Sequence, residues 1–132
     1  MNEPTSAQEE KAALNPNQFE VADEERGGVR ILAVTGELDL NTAPRLEERL
    51  EGVDAALLID LSGCEFIDST GIGLIVRTWQ RLDADLDGDG ESRFALCGLG
   101  DQVRRLFEIT GLEASLQTYP GRDEALVGLR GN

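Results

Sequence analysis

Histidine is absent from this chain and lysine occurs once, as Lys11. The first absence removes the commonest general base and metal ligand, and with it any serine–histidine nucleophile pair. The second leaves no lysine for a phosphate-binding P-loop. Bases are few altogether: 12 Lys+Arg face 26 Asp+Glu, a formal charge of −14. No basic stripe exists to neutralise phosphates, so direct nucleic-acid binding is not expected. No apolar run approaches the roughly 18 residues that span a bilayer, and none of the short ones follows a basic amino terminus. A soluble, unexported, cytoplasmic protein without membrane insertion is therefore expected. Cysteine occurs twice, as Cys64 and Cys97, outside any C-x-x-C pair and within apolar segments; buried free thiols are the expectation. Neither a cofactor nor a metal is expected, and these shortages argue against an enzyme.

The 132 residues suit one domain. A chain of this size buries about two-thirds of its unfolded surface and needs no disulfide or metal staple. The acidity is unevenly spread. Residues 1–25 hold seven acids and one base, and residues 83–91 hold five acids and no base. The remainder, with 14 acids and 11 bases, is close to balanced. Residues 1–17 mix Glu, Gln, Asn, Pro and Ser and are expected to form a disordered acidic tail. The folded domain is expected over residues 18–130, interrupted by an acidic loop at 83–91 whose main effect is solubility.

Along that domain the pattern predicts alternating elements. Phe19-Glu20-Val21 opens a weak strand, and Gly27-Gly28 turns it into a second strand from Val29 to Thr35. Asn41 or Thr42 is placed to cap a helix with Pro44 in its first turn and Leu46, Leu50 and Val53 as its apolar stripe. Ala55–Leu61 is an almost continuous apolar run, suited to a parallel strand covered on both faces. After Asp68-Ser69-Thr70-Gly71-Ile72-Gly73 comes a helix with Ile72, Ile75, Val76, Trp79, Leu82 and Leu86 on its buried face and Leu74 off it. Phe94–Cys97 is a strand, and Val103, Leu106, Phe107 and Ile109 mark a helix stopped by Gly111. A short strand at Ser115–Tyr119 and a helix at Asp123–Leu129 complete the pattern. The order β-β-α-β-α-β-α-β-α predicts an α/β domain: a mixed, mostly parallel sheet with an opening hairpin, covered by about four helices.

Several motifs fail on inspection. Asp83, Asp85, Asp87 and Gly88 begin a calcium loop, but Phe94 stands where its bidentate glutamate belongs. Gly71-Ile72-Gly73 and Gly98-Leu99-Gly100 start a dinucleotide fingerprint whose third glycine is Val76 or Val103. The segment Asp68–Gly73 stands out. It sets two hydroxyls beside a carboxylate where a buried strand gives way to a helix, the end of an open α/β sheet at which ligands are met. A helix start also favours a phosphate. Capping by Ser69 or Thr70 explains one hydroxyl, but not both glycines or an exposed Leu74.

At these residues the chain resembles a STAS domain, specifically the bacterial anti-sigma factor antagonists. The likeness rests on Thr35-Gly36-Glu37-Leu38-Asp39 with Thr42-Ala43, on Leu57–Leu61, on Phe66–Gly73, and on Val103–Phe107 followed by Thr110-Gly111-Leu112. The resemblance implies a non-catalytic switch protein. Its unphosphorylated form would bind an anti-sigma factor that is also a serine kinase, freeing a sigma factor. Phosphorylation of Ser69 would end that binding, and a serine phosphatase would restore it. The resemblance makes Asp68 and Asp39 the carboxylates near the phosphorylated serine, Thr70 a second hydroxyl, and Gly71 part of the motif. Leu74 and Arg77 would lie on the exposed side of the following helix, where the partner docks. The alternative within the family is an unphosphorylated subunit of a lipid or anion transporter complex.

Overall fold

The computed structural model describes residues 18–83 and 93–130. Strand β1 (Glu20–Arg26) and β2 (Val29–Leu38) form the opening hairpin. Gly27 and Gly28 turn it with positive φ, 57° and 85°, the conformation that a tight primed turn demands and glycine adopts freely. Helix α1 (Ala43–Leu50), β3 (Ala56–Ile67), α2 (Ser69–Asp83), β4 (Phe94–Cys97) and α3 (Asp101–Thr110) follow. A 3-10 turn at Leu112–Ala114 leads to β5 (Thr118–Tyr119) and α4 (Arg122–Arg130). The strands lie in chain order, with β1 antiparallel to β2 and every later pair parallel. This is the mixed, mostly parallel sheet that the alternating pattern predicts. No helix among the described residues is long and apolar enough to cross a membrane.

The two faces of the sheet carry separate cores. Leu57, Ile59 and Leu61 of β3 meet Leu46 and Leu50 of α1, Ile75 and Leu82 of α2, and Val103 and Phe107 of α3 in the larger one. Leu58, with Ile31, Ala95 and Cys97, faces Ala125, Leu126 and Leu129 of α4 in the smaller. Alternating side chains point to opposite faces, so a strand buried on both reads as an unbroken apolar run. Asp60 interrupts it on the α4 side. Both cysteines are buried free thiols. Burial raises the Cys64 thiol. Burial, and then the negative charge of Asp60, push that of Cys97 up to about 12, so both stay protonated and unreactive.

Several boundaries differ from expectation. α1 ends at Leu50 rather than reaching Val53, because Gly52 leaves the helix at φ 81° and Val53 packs from the connection. β2 and β3 both run on, to Leu38 and Ile67, through register shifts near Thr35 and Gly36. Ile109 is 72 % exposed rather than in the α3 stripe. β5 is only Thr118–Tyr119, since the N–H groups of Ser115 and Leu116 turn back to the Leu112 carbonyl. Leu86 and most of the acidic loop lie outside the described residues, as do residues 1–17.

Candidate functional site

The parallel register of β2 and β3 ends with Leu38 opposite Ile67. Asp39 and Asp68, the next residue of each strand, therefore leave the sheet side by side. Asp68 organises the junction. Its N–H donates to the Leu38 carbonyl (3.1 Å), and its Oδ1 accepts the Gly71 N–H (3.0 Å). Its Oδ2 accepts the Leu40 N–H (3.2 Å). One carboxylate thus caps α2 and fastens the β2–α1 loop to that helix. The cap expected from Ser69 or Thr70 belongs to Asp68 instead. Ser69 is exposed and its hydroxyl makes no hydrogen bond with any described residue, while Thr70 is half-buried. Asp68→Ala removes both contacts and is expected to cost about 1–2 kcal/mol, measurable as a lower urea midpoint.

Asp39 braces the turn that leads into α1. Its Oδ1 accepts the N–H groups of Asn41 (3.0 Å) and Thr42 (3.1 Å). The buried Thr42 hydroxyl accepts the Asp39 N–H (2.9 Å) and donates to the Glu37 carbonyl (2.7 Å). Thr42 holds the N-cap position of α1, one of the two expected, but its side chain makes no cap hydrogen bond and instead ties the turn back to β2. Both carboxylates sit at helix starts, where the backbone dipole favours negative charge. Between them the loop pushes out Leu40, 69 % exposed, a residue absent from the sequence-based candidates.

Gly71 is buried where α2 starts against the sheet. A Cβ there would stand 2.8 Å from both Ile67 Cγ1 and the Leu38 carbonyl, and 2.9 Å from Leu38 Cγ. Two of these neighbours are core side chains and the third is backbone, so none yields cheaply. Gly71→Ala is expected to destabilise the domain by about 1–3 kcal/mol, read by the same denaturation.

Leu74 corrects an expectation: it is 4 % exposed, not solvent-facing. Helix α1 packs across α2, so the buried face is Gly71, Ile72, Leu74, Ile75, Thr78 and Leu82. Val76 and Trp79 are only partly buried at its edge. Thr78 is tolerated inside because its hydroxyl donates to the Leu74 carbonyl (2.8 Å). Arg77 is exposed as expected. It lines a hollow of about 390 Å³ between α1 and α2, together with Glu47, Glu51 and Arg81. Arg81 donates to the carbonyls of Val53 (2.7 Å) and Leu50 (3.2 Å), closing the end of α1. Asp85, Asp87 and Gly88 of the calcium-like motif lie outside the described residues.

A second polar cluster, missed in the sequence, lies on the α4 side. Arg122 Nε donates to Asp60 Oδ2 (2.7 Å), the Ser62 N–H donates to Asp60 Oδ1 (2.9 Å), and Arg122 also reaches Glu24 (3.3 Å). Its one signal was a charged residue inside an apolar run.

The hairpin-led sheet and the two helix starts beside Asp39 and Asp68 define a class, an α/β domain that presents a free serine at the rim of its sheet. The sequence profile of the STAS domain matches residues 20–125. The chain is 32 % identical over 120 residues to the anti-sigma-F factor antagonist RsfB of Mycobacterium tuberculosis, covering 88 % of this chain and 93 % of that protein. It is 41 % identical over 83 residues to the anti-sigma-B factor antagonist of Listeria monocytogenes, covering 60 % and 68 %. Its fold matches the crystal structure of an anti-sigma factor antagonist from Mycobacterium paratuberculosis with a TM-score of 0.76 at 32 % identity, covering 87 % and 97 %. The chain belongs to the STAS domain family.

Proposed function

We propose that this chain is an anti-sigma factor antagonist. It works in the cytoplasm as a non-catalytic regulator: unphosphorylated, it binds an anti-sigma factor with serine-kinase activity and frees the sigma factor. Phosphorylation of Ser69 ends that binding, and a serine phosphatase restores it. The names of the relatives support the first part. The observation that carries the second is local: Asp68 takes the cap of α2, leaving the Ser69 hydroxyl exposed and uncommitted. A kinase can reach that hydroxyl without breaking a hydrogen bond of the fold.

A phosphate at Ser69 adds about −1.5 to −2 charges next to Asp68 and beside the loop that holds Asp39. The test uses the anti-sigma factor kinase encoded in the same genome, with ATP. Phosphate should enter the wild type and Thr70→Ala, and none should enter Ser69→Ala. Labelling of Ser69→Ala equal to the wild type would overturn the assignment.

A further inference from the structure

Most arginines on the described surface are already engaged. Arg26 and Arg30 pair with Glu24 and Asp23, Arg104 with Glu113, and Arg122 with Asp60. Arg81 and Arg93 bind backbone carbonyls. Arg77 makes no hydrogen bond or ion pair with any described residue, and it shares a helix row with Ser69. Ser69, Gly73 and Arg77 are successive i, i+4 positions of α2, which stand one above another on a helix surface. Long helical side chains lean towards the amino terminus, and Arg77 does so. Its Nη1 lies 3.4 Å from the point where a Cβ on Gly73 would be. Ser69 begins one turn further on, with Cβ positions in such a row about 5–6 Å apart. Gly73 has no side chain of its own to occupy the row between the guanidinium and Ser69.

We propose that Arg77 is the counter-charge of a phosphate on Ser69, reached across the notch left by Gly73. This rests on the reading of Ser69 as the phosphorylated residue. A planar guanidinium binds a phosphate through paired N–H donors, and the extra length of the phosphoryl group closes the remaining distance. The switch is then read in two ways. Phosphorylation adds charge at the helix start, and it draws Arg77 away from the hollow beside Glu47 and Glu51, changing a second part of the same face. Arg77 acts as a positioning residue and takes no part in the transfer itself.

The test installs phosphoserine at position 69 genetically, so it depends on no kinase. A phosphorus NMR titration then compares wild type, Arg77→Gln, Gly73→Leu and the control Arg105→Gln, whose arginine lies on α3. An unperturbed phosphoserine titrates near about 6. In the wild type and Arg105→Gln the value should lie roughly half a unit below that of Arg77→Gln, and high salt should shrink the difference. Gly73→Leu, with the notch filled, should behave as Arg77→Gln. Equal titration of wild type and Arg77→Gln would overturn the proposal, whatever shift the helix start alone produces. The switch reading fails separately, if the kinase leaves Ser69 unmodified while this titration still reports Arg77.

Discussion

Protein phosphorylated at Ser69 is expected to bind its anti-sigma partner about 100-fold more weakly than the unmodified form, with an unchanged far-UV circular dichroism spectrum. The two halves of this expectation have separate causes. Binding suffers because the phosphate stands on an exposed face with Leu40 prominent beside it, where a partner must strip water from whatever it covers. A dianion there is costly to desolvate, and Asp68 and Asp39 add repulsion towards any acidic group brought close. The fold does not suffer, because the contacts that start α2 run from Asp68 to Gly71 and Leu40 and make no use of the Ser69 hydroxyl. The dipole of α2 also favours an anion at its start. Ser69→Ala should bind within a few-fold of the wild type, since it loses no internal hydrogen bond. Calorimetric titration measures the affinities, and loss of helical signal on phosphorylation would contradict the local account.

Replacing Arg122 by Met is expected to cost about 3 kcal/mol at pH 7, the largest loss among the substitutions considered. The Asp60 side chain is 9 % exposed and that of Arg122 29 %, so the carboxylate is the deeply buried partner. Burial pushes the Asp60 carboxyl up, but the Arg122 hydrogen bond and the Ser62 N–H outweigh it, and the net shift is downwards. Without Arg122 the burial cost faces weaker opposition, and part of the stability is lost. The low end of the usual range applies, because water reaches Arg122. The pH dependence has a definite sign. A depressed carboxyl pKa contributes stability above its unfolded value, about 3.9, and loses it as pH falls through the folded value. In Arg122→Met the Asp60 pKa is higher, so the carboxyl becomes neutral sooner on acidification. The gap between wild type and variant should therefore narrow from pH 7 to pH 4 in urea unfolding. A gap that stays constant, or a loss below about 1 kcal/mol at pH 7, would contradict this role for the pair.

Much of the fold was legible because local chemistry sets it. Gly27-Gly28 could only be a tight turn, the Leu57–Leu61 run needed cover on both faces, and Gly111 ends α3 in the left-handed conformation, φ 78°. The failures at the site share one cause: they depend on residues distant in the chain. Hydropathy spacing weights large apolar side chains, so Val76 and Trp79 drew the buried face of α2 towards themselves. Its true centre includes Gly71 and Thr78, which become visible only when α1 lies across the helix. Asp68, Ser69 and Thr70 are all able to cap. The choice falls to Asp68, whose second oxygen meets Leu40, 28 residues earlier. The pairing of Asp60 with Arg122 spans 62 positions, and nothing local announces it. At the site, Ser69, Asp68, Asp39 and Arg77 were legible as residues of interest. Their division of labour was not, nor was the buried position of Leu74.

The most direct test of the account follows a preformed complex of this protein with its anti-sigma kinase after ATP is added, by fluorescence anisotropy with phosphate counted on the released chain. The wild-type complex should dissociate as phosphate accumulates on Ser69, and the Ser69→Ala complex should persist. A wild-type complex that remains intact with Ser69 fully phosphorylated would contradict the account.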